Sequence, residues 1–178
     1  MTRLIDPESI TVRAATPADA QRLTELGRET FAATFGHLYP PEDLAAFQAE
    51  SHTPERYAAW AEDPDYGLWI AEHEGQAIGY TLAGPCHLPH PEVTTGCGEL
   101  WRIYVRPETQ GSGLGGRMIT IALDWLSRPG RTLWIGVWSG NEGAQKLYGR
   151  HGFSKAGEYE FPVGRVRDRE FILRRDPA

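Results

Sequence analysis

The stretch Gln110-Gly111-Ser112-Gly113-Leu114-Gly115-Gly116 decides how the chain is read. It follows an apolar, strand-like run over residues 100–105 and opens a helix-like run that begins at Leu114. Glycines let a backbone approach a ligand closely and adopt positive φ. The unpaired N–H groups of a helix's first turn then point at a negative group, which the helix dipole favours. Strand, glycine turn and helix in this order make an anion cradle, and a pyrophosphate is its expected guest.

Gly111, Gly113 and Gly116 also satisfy the dinucleotide fingerprint G-x-G-x-x-G. In that fold the first glycine closely follows the strand, and an acidic residue for the ribose lies about 20 residues on. Here residues 106–110 separate strand from glycine, and residues 130–135 contain no acid. The context therefore argues against a nicotinamide site.

Working outward, residues 10–15 alternate enough for a short strand, and Thr16-Pro17-Ala18-Asp19 supplies an N-cap, a first-turn proline and a first-turn acid. Leu23, Leu26, Phe31 and Phe35 recur at roughly helical spacing until Gly36 and Pro40-Pro41 end the helix. Two shorter helices are expected over residues 42–49 and 54–61, with Phe47, Tyr57 and Trp60 facing inward. Residues 68–73 and 77–82 read as a hairpin turning at Glu74-Gly75, followed by a strand over 98–105. Leu114, Met118, Ala122 and Trp125 mark one face of the next helix, which Pro129-Gly130 terminates. A strand over 132–138, a short helix over 141–150, a strand from Phe153 and a last strand over 166–174 complete the order. One mixed α/β or α+β domain fits, spanning residues 1–178 with its core in about 10–174.

Composition narrows the classes. Of 178 residues, 40% are hydrophobic, and no apolar run approaches the roughly 18 residues that span a bilayer. The opening Met-Thr-Arg-Leu-Ile-Asp-Pro-Glu lacks the apolar core of a signal peptide, so the expected location is cytoplasmic and no membrane partner is expected. A net charge of −6 gives no footprint for nucleic acid and is compatible with a cationic substrate. Cys86 and Cys97 are too few for a disulfide framework. The run Cys86-His87-Leu88-Pro89-His90 lacks the paired spacing of structural zinc sites, so no metal is expected, although His87 or His90 is placed to line a pocket. Arg165, Arg167, Arg169, Arg174 and Arg175 read as a solvated strand face alternating with Asp168 and Glu170.

With these elements in place, the chain resembles the GNAT family of N-acetyltransferases. Ile103-Tyr104-Val105-Arg106-Pro107 followed by Gln110-x-x-Gly113-x-Gly115 is similar to the family's acetyl-CoA signature, (Q/R)-x-x-G-x-(G/A). Asn141, Ala144, Leu147-Tyr148 and Gly152-Phe153 resemble the asparagine, tyrosine and glycine-phenylalanine series after the family's fifth strand. Phe35-Gly36-His37-Leu38-Tyr39 and Phe161-Pro162-Val163-Gly164 are similar to the polyamine-acetyltransferase (PaiA-like) branch. The resemblance implies a single mixed, mostly antiparallel sheet of about six to seven strands flanked by helices. It also implies a bulge that splays the strand over 100–105 from that over 132–138, and homodimer formation.

Acetyl-CoA would be the co-substrate, held by Gln110, Gly111, Ser112, Gly113, Leu114, Gly115 and Gly116, by main-chain groups of Ile103 and Val105, and by Asn141, which is equally a good N-cap. An amine attacking a thioester needs a proton acceptor and a proton donor. Tyr148 is the candidate general acid, because a phenol is protonated at neutral pH, and Glu99 is the candidate base. Phe31, His37 and Tyr39 are expected to wall the acceptor site. The implied reaction moves acetyl from acetyl-CoA to a primary amine by direct attack, with a small cationic amine such as a polyamine as acceptor. A protein N-terminus or lysine, or a non-catalytic acyl-CoA-binding module, are the alternatives.

Overall fold

The N–H of Trp101's indole donates to the Pro85 carbonyl at 2.9 Å, and this contact marks the irregularity that shapes the sheet. The computed structural model describes residues 5–178, so the first four residues of the N-terminal stretch read above lie outside the described residues. The described chain runs β1 (Thr11–Ala14), α1 (Ala20–Phe35), α2 (Pro41–Ser51), α3 (Pro54–Glu62), β2 (Gly67–His73), β3 (Gln76–Pro85), β4 (Gly98–Val105), α4 (Leu114–Leu126), β5 (Leu133–Trp138), α5 (Glu142–Arg150), β6 (Ser154–Val163) and β7 (Val166–Arg175). Seven strands form one sheet in the order β1-β2-β3-β4-β5-β7-β6, in which only β4 and β5 run parallel. The expected order of elements is the observed one.

Each element follows from its residues. Glu74 (φ 49°) and Gly75 (φ 76°) make the tight turn between β2 and β3. Asp19 accepts the Thr16 N–H at 2.9 Å and pairs with Arg13 at 2.8 Å, fixing the entry into α1. In α4 the buried stripe is Leu114, Met118, Ile119, Ala122, Leu123 and Leu126. Trp125, expected on that face, sits half-buried at its margin against Trp69, with ring centroids 5.8 Å apart. One sheet face packs on α4 and α5 through Leu100, Ile119, Leu123, Leu126, Ile135 and Val137. The other packs on α1 and α3 through Leu23, Leu26, Tyr57, Ile70, Tyr80 and Leu82. Fully burying each such side chain is worth roughly 1.5–3 kcal/mol.

Two departures from regularity open the site. β4 and β5 pair only over Gly98↔Leu133, Glu99↔Trp134 and Leu100↔Ile135, and beyond these they separate. In β4, Arg102 pairs with Leu82 and Leu100 with Ala83, so Trp101 is an extra residue, a bulge. Side chains in a regular strand alternate faces. The bulge resets that alternation, so Leu100 and Ile103 both face α4, while Trp101 and Tyr104 both pack toward α1 and α3.

Candidate active site

Between the separated strands lies a cavity of about 670 Å³. Its floor comes from β4 and β5. One wall comes from α1, the segment between α1 and α2, and the loop after α2, through Phe31, Phe35, Tyr39 and His52, and the opposite wall from β6 and β7, through Tyr159, Phe161, Asp168 and Glu170. Phe31 stacks on Tyr39 (centroids 6.3 Å apart), while Phe35 meets Trp138 edge-on at 6.1 Å. The walls are tied at their rim, where Arg165 beyond the β6 end pairs with Glu42 at 2.6 Å and Asp43 at 3.2 Å on α2.

At one end the glycine turn leads into α4. Gly111 (φ 83°) and Gly113 (φ 82°) hold left-handed conformations that L side chains resist, and Gly113 caps the helix. A methyl added at Gly111, Gly113, Gly115 or Gly116 would meet nothing within 4 Å, so the loop's outer surface is open. Ser112 closes the turn from inside, its hydroxyl donating to the Thr109 carbonyl at 2.6 Å and accepting from the Leu114 N–H at 3.4 Å. Open glycine backbone at the start of a 13-residue helix fits a pyrophosphate. Gln110 reaches the cavity lining, as do Ile103, Val105 and Asn141. Asn141 also caps α5, its Oδ1 accepting the Ala144 N–H at 3.1 Å.

Tyr148, on α5, is 7% exposed and lines the same cavity as Glu99, which is 8% exposed on β4. Burial raises the Tyr148 phenol above its usual value, and Glu170 adds to the rise, so the phenol stays protonated. Glu99 Oε2 accepts the His87 N–H at 2.9 Å. Burial nevertheless pushes the Glu99 carboxyl up to about 7, with the nearby Glu170 charge adding to it. The two groups thus bring a protonated donor and a near-neutral acceptor to one space.

Phe31 and Tyr39 line the cavity. His37 is exposed and stands outside the lining. Of the two loop histidines, His87 lines the cavity; His90 instead packs on Trp134 with ring centroids 4.9 Å apart. Cys86 and Cys97 are free thiols.

The sequence reading missed a group on β7. Glu170 lies across the sheet from both Trp138 and Tyr159, whose hydroxyl donates to it at 3.2 Å. Burial pushes its carboxyl up to about 7, with Asp168 contributing. Asp168 accepts a hydrogen bond from Tyr39. Gly136 lies beside this group, where a methyl would come within 3.3 Å of the Tyr159 hydroxyl and 3.1 Å of Leu88. Alternation with Arg167 and Arg169 disguises these carboxylates as a solvated strand. The arginines are indeed engaged outside, Arg169 with Glu158 at 2.8 Å and Arg174 with Glu92 at 2.7 Å.

Comparison with known proteins bears on this arrangement. The profile of the acetyltransferase (GNAT) family matches residues 28–153, a span that includes β4, the glycine turn, α4, β5 and α5. The chain belongs to the GNAT acetyltransferase family. Like other GNAT proteins it is an acyltransferase that uses acetyl-CoA. An uncharacterised N-acetyltransferase of Lactobacillus delbrueckii subsp. lactis is 29% identical over 161 residues, covering 88% of this chain and 91% of that protein. A mycothiol acetyltransferase of Streptomyces avermitilis is 34% identical over 151 residues, which cover 83% of this chain and 44% of that protein. Among solved structures, the PaiA N-acetyltransferase of Thermoplasma acidophilum in complex with coenzyme A superposes with a TM-score of 0.72 at 19% identity, covering 94% of this chain and 99% of that one. This last likeness is one of fold, and it includes the seven-stranded mixed sheet. Among the described residues of this GNAT chain, no helix is long and apolar enough to cross a membrane.

Proposed function

We propose that this GNAT protein transfers acetyl from acetyl-CoA to the primary amine of a small cationic molecule, a polyamine being the simplest example. The observation that carries the reading is Glu99 and Tyr148 facing one cavity, beside two further carboxylates, Asp168 and Glu170. Three carboxylates among the rings of Tyr104, Trp138, Tyr159 and Phe161 suit an ammonium group, through charge and through cation–π attraction. Acetyl-CoA, when bound, supplies the acetyl group as an activated thioester. The glycine turn from Gln110 to Gly116 holds the pyrophosphate through backbone N–H groups, and main-chain groups of Ile103 and Val105 orient the acyl arm.

Glu99 accepts the proton that the acceptor's ammonium must lose, directly or through a water, and frees the nitrogen lone pair for attack on the carbonyl carbon. As the carbon–nitrogen bond forms and the carbon–sulfur bond breaks, Tyr148 gives its proton to the departing sulfur, and the second proton that the nitrogen sheds returns to the phenol oxygen, directly or through a water. The products are an amide and a free thiol.

A screen of thiol release against polyamines, small monoamines, amino acids and peptides, with acetyl-CoA saturating, tests the reading. Turnover of small amines above background is the expected outcome. Tight acetyl-CoA binding with no thiol released by any amine would overturn it.

A further inference from the structure

The cavity that holds the carboxylates also holds a cation. Arg102, on the bulged part of β4, lines the wall opposite β7, beside Ser51 and His52. Its Nη1 donates to His52 Nδ1 at 3.3 Å and to the Tyr57 hydroxyl at 3.1 Å, and its Nη2 donates to the Ser51 carbonyl at 3.2 Å. The guanidinium lies over the Trp60 ring at 5.0 Å. All of these partners are neutral. Burial, reinforced by the Arg102, Arg28 and Arg56 charges, lowers His52 to about 3 and so keeps it uncharged, while burial raises the Tyr57 phenol. Among the described residues no carboxylate pairs with Arg102, in contrast to Arg106, which meets Glu29 at 2.5 Å.

A guanidinium has five N–H donors in a planar fork. Three are taken by the contacts just named, and among the described residues the Nε–H and the second Nη2–H have no acceptor. These two form the side-on edge of the fork, which matches the two oxygens of a carboxylate. A partly buried charge set among neutral partners is costly unless an opposite charge joins it.

The rest of the cavity sets the relation between this cation and the acids. Tyr104 lies two residues beyond Arg102 on the same face of β4; Phe35 packs edge-on against both Tyr104 and Trp138; and Trp138 stands across from Glu170. An aromatic middle thus separates a cationic end from an acidic one. We propose that the acceptor is an amine that also bears a carboxylate, an amino acid, with its carboxylate on the Nε–Nη2 edge of Arg102 and its ammonium at Glu99 and Glu170. This rests on the reading of the cavity as an amine-acetylation site and narrows it, setting polyamines aside in favour of amines such as a diamino acid, which is a small cationic amine that carries such a carboxylate.

The test compares acetylation of amino acids, from glycine to ornithine and lysine, with acetylation of their carboxamides and of putrescine and cadaverine, which lack the negative group. For the best amino acid, kcat/KM is expected to exceed that of its carboxamide by about 10- to 100-fold, the scale of one charge-assisted, bidentate contact. Arg102→Gln should bring that ratio toward one, and Arg102→Lys, which keeps the charge and loses the fork, should give an intermediate ratio. A ratio measured within one preparation is unaffected by the fraction that has folded. Wild-type protein acetylating carboxamides or diamines as well as amino acids would overturn the inference, as would an unchanged ratio in Arg102→Gln. Either result leaves the acetyl transfer proposed above intact, whereas absence of turnover with every amine would remove both.

Discussion

Beside one end of the cavity the chain turns through the consecutive residues 110–116, of which Gln110 reaches the lining, and at the other end it presents carboxylates and rings from residues as far apart as Phe31 and Glu170. The first end needs backbone freedom, which glycine supplies wherever it occurs. The second needs particular side chains brought together by three helices and four strands. A contiguous, backbone-built site suits a ligand common to a family, and an assembled, side-chain-built site suits a ligand that differs among its members.

Substitutions at the meeting point of the two ends should have the largest effects. Tyr148→Phe removes the proton donor and should lower kcat about 100- to 1000-fold with little change in acetyl-CoA affinity, as steady-state thiol release and calorimetric binding would show. Glu99→Gln should cost about 10- to 100-fold at pH 8. With its carboxyl at about 7, Glu99 is an ionised base only above that pH, so wild-type kcat/KM should climb toward pH 7 and level off beyond it. In Glu99→Gln that limb should flatten to the part that Glu170, also at about 7, contributes through ammonium binding.

The next pair separates the two ends directly. Gly113→Ala forces a side chain to φ 82°, costing about 1–2 kcal/mol. It should raise KM for acetyl-CoA about 10-fold with every amine tested. Gly136→Ala instead places a methyl close to Leu88 and the Tyr159 hydroxyl. It should raise KM for the amine a few-fold, on the scale of one crowded methyl group, and leave acetyl-CoA unaffected. If either variant acted equally on both substrates, the division of labour between the two ends would fail.

The smallest effect is on stability. Burial raises Glu99 from 4.5 to about 7, so between those values the folded protein holds a proton that the unfolded chain has released. Stability therefore falls as pH rises through that window and is level above it. The upper figure is on the order of 3 kcal/mol. Glu99→Gln removes this penalty, and its Tm relative to wild type should be several degrees higher at pH 8 than at pH 5, as paired thermal melts would show.

The same division explains what could be read in advance. Gln110 to Gly116 announces itself because its meaning is local: glycine density between a strand and a helix has few other uses. Tyr148 stands out in the sequence through motif spacing, and Glu99 through its place at the start of the strand that leads to the glycine turn. Glu170 and Asp168 do not, because on β7 they alternate with Arg167 and Arg169 as on any solvated strand, and only the pairing with Tyr159, Phe161 and Trp138 turns them inward. Arg102 was hidden by the bulge, since strict alternation from Glu99 sends it to the opposite face. His37 sits near Phe35 and Tyr39 in sequence, yet the short helical turn over residues 36–38 leaves it at the surface.

That bulge also decides which charges can meet. Eight residues of β4 run beside seven of β3, from Gly79 to Pro85, and the odd one out is Trp101. Without it, Glu99 and Arg102 would have opposite parity, and one would look into the acceptor space while the other looked toward α4. One surplus residue therefore does what no substitution can: it converts a sequence separation of three into a shared direction. The dipolar character of the cavity is in this sense a property of chain length, carried by a single count and insensitive to which side chain occupies the extra place.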